Sequence, residues 1–266
     1  MMICPDGWRD YELIDAGEGM KLERWGSSIV SRWEPRAIWG KGNPSIWENK
    51  GNLEEQVISY KELKFKLKIT NFGHTGVFPE QAVNWEWLRQ QCSRFKIQDP
   101  IKILNLFAYT GGATMAAAVA GAQVTHVDSS KPAMMWAGEN AQLTGVKDKI
   151  RWIQDDVVKF VKREIKRGTK YDGIIMDPPR FGRGASGEVW KFEDGISKLV
   201  WECKELLSPA PQLFLINAYT ADLSNVALGN LLSDVMGQEV EFGELGLKET
   251  SKGRILPAGI FARWSS

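Results

Sequence analysis

A chain of 266 residues, 43% hydrophobic and 25% charged, has room for one large α/β domain and a small appendage, and it holds no apolar run near the ~20 residues that cross a bilayer. Its 34 basic against 33 acidic side chains leave a net charge of +1, which excludes a protein that coats nucleic acid through bulk charge but allows a local basic patch. Cys4, Cys92 and Cys203 lie far apart and the two histidines are His74 and His126, so no metal site, no disulfide and little His-assisted nucleophilic chemistry are expected.

In chain order, Met1 to Gly7 lack the basic start and apolar centre of an export signal, so a soluble, cytoplasmic protein with no membrane attachment is expected. Trp8, Trp25, Trp33, Trp39 and Trp47 crowd the first fifty residues; they read either as filling for a thin β core or as a surface on which unpaired bases stack. Short β-type stretches at 28–33 and 65–70, separated by Gly, Pro and Asn, predict a small β-rich module over residues 1–72. The alternation from Lys64 to Ile69 puts lysines on one face and apolar side chains on the other, as in a half-exposed strand.

After a helical stretch over 83–90, the pattern alternates. Strands are predicted at 101–106, 123–128, 150–154, 171–176 and 212–217, with helices at 113–120, 131–143, 157–167 and 197–206. Apolar strands alternating with helices imply a Rossmann-like α/β domain over 73–266, with a mostly parallel sheet covered on both faces. Strand-like segments at 239–247 and 259–264, with no helix between them, predict an antiparallel pair at the C-terminal edge of that sheet.

The ends of the predicted strands carry the chemistry. The first runs through Asn105, Leu106, Phe107, Ala108, Tyr109 and Thr110 into Gly111 and Gly112, whose missing Cβ atoms let backbone amides face a carboxylate or phosphate. The second ends in Asp128, followed by Ser129 and Ser130, about where an acidic side chain reaches ribose hydroxyls in dinucleotide-type folds. The glycine spacing is not G-x-G-x-x-G, which disfavours NAD and FAD. The third ends in Asp155-Asp156, either of which could accept from an adenine amino group, Asp156 being the better placed. The fourth ends in Asp177-Pro178-Pro179-Arg180-Phe181, a stiff turn that projects acceptors toward a planar group bearing N–H donors. A flexible basic loop, 182–187, follows, with Arg183 inside it and Trp190 just beyond.

With these residues in place, the chain resembles class I methyltransferases dependent on S-adenosylmethionine (SAM). Within them it is similar to the large-subunit ribosomal RNA methyltransferases that act on cytosine carbon 5 or on a guanine nitrogen. The resemblance extends over nearly the whole chain, including Tyr11 to Gly17, Lys21 to Gly26 and Trp33 to Trp39 in the β module, with no counterpart of the RNA-binding PUA domain that some relatives carry. It implies that Phe72 to Gln81, through Thr75, Phe78, Pro79 and Gln81, folds across the cofactor. It further implies that the methionine end of SAM lies near Thr110 and Gly111, the ribose at Asp128 with Ser129 and Ser130, the adenine near Asp155 and Asp156, and that Asn140 belongs to the cofactor set. The acceptor is implied at Asp177, flanked by Pro178 and Pro179, with Arg180, Phe181, Arg183 and Trp190 on the substrate side.

One departure bears on mechanism. Carbon-5 methylation needs a cysteine that adds to the pyrimidine ring, and relatives carry it just after the fifth strand. Leu215-Ile216-Asn217-Ala218-Tyr219-Thr220 has none, and Cys203 falls in a helix well before the strand end. Direct transfer to a base heteroatom of ribosomal RNA is therefore expected, with Asn217 and Tyr219 orienting the acceptor. Lys159, Lys162, Arg163, Lys166, Arg167 and Lys170 form a helical basic stripe that reads as a solvated face or as a contact for RNA phosphates. A methyltransferase of a small molecule or protein, and a non-catalytic SAM-binding regulator, remain rivals, and homo-oligomerisation is left open.

Overall fold

The computed structural model describes residues 1–68, 75–95, 100–183, 189–219 and 222–266, the side chains of Asn49 and Arg183 excepted. His74, most of the 182–187 loop and Thr220 lie outside the described residues. Strands, in chain order, are β1 (Met2–Ile3), β2 (Tyr11–Gly17), β3 (Met20–Trp25), β4 (Ser28–Trp33), β5 (Gln56–Tyr60), β6 (Leu63–Leu67), β7 (Lys102–Leu106), β8 (Gln123–Asp128), β9 (Ile150–Gln154), β10 (Gly173–Met176), β11 (Phe181–Arg183), β12 (Val189–Lys191), β13 (Leu213–Ala218), β14 (Glu241–Lys248) and β15 (Ile255–Ser265). Helices are α1 (Ala82–Cys92), α2 (Gly112–Val119), α3 (Lys131–Thr144), α4 (Val157–Arg167), α5 (Phe192–Lys204) and α6 (Asn225–Met236).

Eight strands form one sheet in the order β1-β14-β15-β13-β10-β7-β8-β9. Pairing is parallel from β13 through β10, β7 and β8 to β9, and antiparallel where β15 meets β13, as expected for a Rossmann-like sheet with an antiparallel edge. The chain leaves β7 in one direction, to β8 and β9, and returns to β10 on the other side, which opens a crevice between β7 and β10 at the carboxyl ends. The inner strands are mostly apolar because both faces are covered: Leu104, Leu106, Ile174, Ile175, Met176 and Leu213 to Ile216 are all buried. Gly173 is required at the start of β10, since a Cβ there would stand 2.6 Å from Ile103 Cδ1 and 2.7 Å from Leu213 Cγ.

Helix α6 is absent from the periodicity reading, yet its ends are written in the sequence. Ser224 Oγ accepts from the Ala227 amide at 3.2 Å as N-cap, and Gly237 closes the helix at φ +70°. The helix's buried stripe, Leu228, Gly229, Leu232 and Val235, keeps helical spacing and is narrow, with one glycine in it. Helix α5 begins at Phe192, five residues before the predicted 197, and its Leu199, Val200 and Cys203 face the core.

Contacts divide the chain into two units: Asn84–Glu244 with Gly259–Ser266 and Met1, and Met2–Val83 with Leu245–Ala258. The second unit thus takes in the tip of the β14–β15 hairpin as well as the N-terminal strands. The reason is the buried carboxylate of Asp15, which accepts from Gly42 N, Trp47 Nε1 (2.8 Å), Ser251 Oγ (2.8 Å) and Arg254 Nη2 (3.2 Å). Within this unit β2, β3 and β4 form an antiparallel sheet and β5 and β6 a hairpin. Leu63, Phe65 and Leu67 are buried while Lys64 is exposed, as the alternation predicted. Trp25 and Trp47 fill the core, whereas Trp33 is 75% exposed.

Glu23 is a second buried carboxylate, bound by Arg32 Nε at 2.6 Å, Arg32 Nη2 at 3.0 Å and Tyr11 Oη at 3.0 Å, with Lys21 Nζ at 3.6 Å. Burial alone would raise its carboxyl, but Lys21, Arg32 and these bonds outweigh burial and hold it at about 2, below the ordinary 4.5. A depressed carboxyl contributes stability that is present above the unfolded value and lost as pH falls toward the folded one. This group is expected to contribute on the order of 3 kcal/mol at neutral pH, lost between about pH 5 and pH 2. Glu23→Gln, followed by thermal melting across that range, should show a lower Tm at pH 7 and a flatter acid limb than the native chain.

Among the described residues, no helix is long and apolar enough to cross a membrane, and no group of three His, Cys, Asp or Glu side chains is placed to hold a metal ion. The three cysteines are free thiols.

Candidate active site

The parallel pairing brings the carboxyl ends of β7, β8, β9, β10 and β13 to one rim, and main-chain bonds stitch these tips together. Ala108 N donates to Val127 O at 3.1 Å, Asp155 N to Asp128 O at 3.1 Å, and Asp177 N to Leu106 O at 3.3 Å. The segments singled out at four strand ends are therefore neighbours in space.

The turn after β7 is strained. Phe107 and Tyr109 have φ of +54° and +48°, in the left-handed region that non-glycine residues seldom occupy. Asp128 offsets that strain: its Oδ2 accepts from Tyr109 N at 2.8 Å and its Oδ1 from Ser130 N at 2.8 Å. Asn140 braces the same turn from α3, donating from Nδ2 to Thr110 O at 3.0 Å. Gly111 continues at φ +88° and caps α2 without a side chain, and a Cβ on Gly112 would come within 2.7 Å of the Trp85 ring. Gly111 and Gly112 thus add no side chain of their own at the start of α2, whose first amides are donors that a carboxylate can use.

Asn105 stands apart from the rim. It is buried in β7 and donates from Nδ2 to Thr114 Oγ1 at 2.8 Å, and Thr114 Oγ1 in turn lies 2.9 Å from His126 Nδ1. His126, absent from the predicted site, is fully buried beneath Gly111, its ring near the Tyr109 carbonyl. Burial lowers its imidazole to about 3, so it is neutral at working pH and supports the turn without charge.

Asp128 is half-buried, and burial pushes its carboxyl up although the Ser130 and Tyr109 amides work against that rise. A carboxylate already aligned by two backbone donors keeps further lone pairs for vicinal hydroxyls. Asp155 Oδ1 accepts from Asp156 N at 2.8 Å and its Oδ2 is paired with Arg163. Asp156 serves as N-cap of α4, accepting from Lys159 N at 2.9 Å, so one of its oxygens is committed to the helix. The basic stripe on α4 is likewise engaged in part, through Arg163 and through Arg167, which donates to buried Glu164 at 2.8 Å.

Past β10, Pro178 is buried while Pro179, Arg180 and Phe181 are exposed. Trp190 donates from Nε1 to Pro179 O at 2.7 Å and packs on Phe107 with ring centroids 5.4 Å apart, so it braces the Asp177 turn against the β7 turn. Arg180 is paired with Asp222 and lies 3.3 Å from Glu193, while Phe181 is 53% exposed and available for stacking. Asn217 sits at the β13 tip, accepting from Asn84 Nδ2 at 2.8 Å, and Tyr219 packs against Gly259. Thr75, Phe78, Pro79 and Gln81 belong to the other unit, where Thr75 Oγ1 donates to Val77 O at 3.2 Å and Pro79 to Gln81 form a short 3₁₀ turn.

A doubly wound sheet with an acidic residue at the second strand tip and a glycine turn leading into a helix at the first is the arrangement of nucleotide-binding α/β domains. Residues 39–230 match the family model of S-adenosylmethionine-dependent methyltransferases, and the chain belongs to that family. Its cofactor is SAM, and a carboxylate such as Asp128 and the first amides of α2 have the chemistry to meet the ribose hydroxyls and the carboxylate of that molecule. The crystal structure of the SAM-dependent methyltransferase from Agrobacterium tumefaciens is 38% identical and superposes with a TM-score of 0.93 over 100% of this chain and 93% of its own. Among curated proteins, the ribosomal RNA large subunit methyltransferase I of Aeromonas salmonicida is 35% identical over 193 residues, 66% of this chain and 47% of its own. The ribosomal RNA large subunit methyltransferase K/L of Shewanella frigidimarina is 34% identical over 160 residues, 58% of this chain and 21% of its own. The chain thus spans between a fifth and a half of these curated relatives.

Proposed function

We propose that this chain methylates large-subunit ribosomal RNA in the cytoplasm, by direct transfer from SAM to a base heteroatom held at Asp177. The observation that carries the reading is the stitched rim: the Asp177 turn is bonded to the same strand end that leads into the glycine turn. The names of the curated relatives support RNA as the substrate, and exposed Phe181 offers a stacking face for an unpaired or flipped base.

Bound SAM supplies an electrophilic methyl group on a sulfonium. The chain's own part is positioning, which can supply several kcal/mol of the barrier. Asp128 would hold the ribose and the β7 turn the methionine end, while Asp177 accepts a hydrogen bond from the acceptor N–H and takes the proton that nitrogen loses. Pro178 and Pro179 keep the turn rigid, and Trp190 holds it in place. Nucleoside mass spectrometry of ribosomal RNA from cells with and without the gene tests this. One methylated base should disappear without the gene, and unchanged RNA with methyl label on a metabolite or protein would refute it.

The cysteines agree with direct transfer. Cys203 is fully buried in α5 and burial drives its thiol far above the ordinary range, while Cys92 is buried in α1 and pushed up to about 12. Neither forms a thiolate readily. Cys203→Ala is expected to keep methyl transfer within about twofold in a labelled-SAM assay, whereas loss of a covalent nucleophile costs several orders of magnitude.

A further inference from the structure

Arg263 lies in an apolar stretch of β15 and is 8% exposed, so its charge needs a partner. Glu241 supplies it in a two-point pair, Arg263 Nε to Oε2 at 2.8 Å and Nη2 to Oε1 at 2.6 Å. The Trp87 and Phe261 rings lie 5.2 and 4.8 Å from the guanidinium and hold it further. The remaining Nη1 donates to Asn84 Oδ1 at 3.3 Å, and Asn84 Nδ2 donates to Asn217 Oδ1 at 2.8 Å.

This chain of bonds has a direction that needs no hydrogen to be located. A guanidinium has donors and no acceptor. The Asn84 oxygen must therefore face Arg263, since the reversed amide would set NH₂ against N–H. Its nitrogen then faces Asn217, which in turn must offer its oxygen. What is left is the Asn217 Nδ2 group, which has no partner among the described residues although Asn217 is only 3% exposed. Met176 and Ile216 are the last registered pair of β10 and β13, so Asp177 and Asn217 leave adjacent strands side by side.

We propose that Glu241, Arg263 and Asn84 form a polarity relay that presents Asn217 to the methyl acceptor as a hydrogen-bond donor, beside the Asp177 carboxylate as acceptor. Such a pair takes a planar edge with a lone pair next to an N–H, the edge that a nucleobase offers. The substrate side of this inference rests on the RNA reading above; the relay itself does not. Glu241, Arg263 and Asn84 touch no substrate and are positioning residues.

Two measurements test it. In protein labelled with ¹⁵N-asparagine, the Asn84 side-chain amide protons should be protected from exchange and those of Asn217, whose nitrogen lacks a partner, should exchange faster. Arg263→Met should lower the Asn84 protection at least roughly tenfold. In methyl-transfer assays, Arg263→Met and Asn84→Asp, which keeps an acceptor for Arg263 and removes the donor to Asn217, should each lower kcat on RNA about tenfold. SAM affinity should stay unchanged, and Arg263→Lys should recover part of the loss. A purely structural pair would lower Tm without separating kcat from SAM binding. Asn217 protons protected as strongly as those of Asn84, or native exchange and native kcat in Arg263→Met, would overturn the relay. A native chain that transfers nothing to RNA would instead defeat the RNA reading and leave the exchange data to decide the relay.

Discussion

Asp177→Ala is expected to reduce methyl transfer about 10³-fold at saturating SAM, within the 10²–10⁴ typical of a positioned acid–base group. SAM affinity measured by calorimetry should change little. The residue stands at the carboxyl end of β10, where its amide is tied to Leu106 O and its neighbours are two prolines, so truncation removes a carboxylate without freeing the backbone. Asp177→Asn should fall between the two, because an amide oxygen still accepts a hydrogen bond but the group no longer takes a proton. Native turnover by Asp177→Ala would remove this residue from the acceptor site and the proposed mechanism with it.

Asp128→Ala is expected to weaken SAM binding about hundredfold, the scale of one or two hydrogen bonds to a charged group. Two effects combine: the ligand loses an acceptor, and the Tyr109 and Ser130 amides lose the oxygens that hold the left-handed turn. The fold should tolerate the change better than the site does. A carboxyl raised by burial is charged at some cost to folding at neutral pH, since the unfolded chain ionises it more readily. Calorimetric titration with SAM, set beside thermal melting of the same variant, separates the two. A native Kd in Asp128→Ala would mean that the rim at β8 does not hold the ribose.

Much of this architecture is legible from the chain alone. The central parallel strands β10 and β13 are near-continuous apolar runs because both sheet faces are covered there, and the runs end where the functional turns begin. Asp128, Asp155 and Asp177 could be picked out because each follows an apolar strand at once. The tip of the β14–β15 hairpin could not be assigned to the N-terminal unit, since Asp15 and Arg254 are 239 residues apart. His126 reads as an ordinary strand residue; its place under the glycine turn depends on the pairing of β7 with β8. Arg263 left a faint signal, a charge inside an apolar strand.

The sequence by itself determined the five parallel strands, the helices between them and the residues at the strand ends, because periodicity, caps and turn chemistry act over a few neighbouring residues. Tertiary structure alone decided which oxygens are already taken, as at Asp156 and Asn105, and which donor is left over, as at Asn217. Hydrogen-bond saturation is a property of atoms brought together from distant parts of the chain, and local patterns carry no record of it.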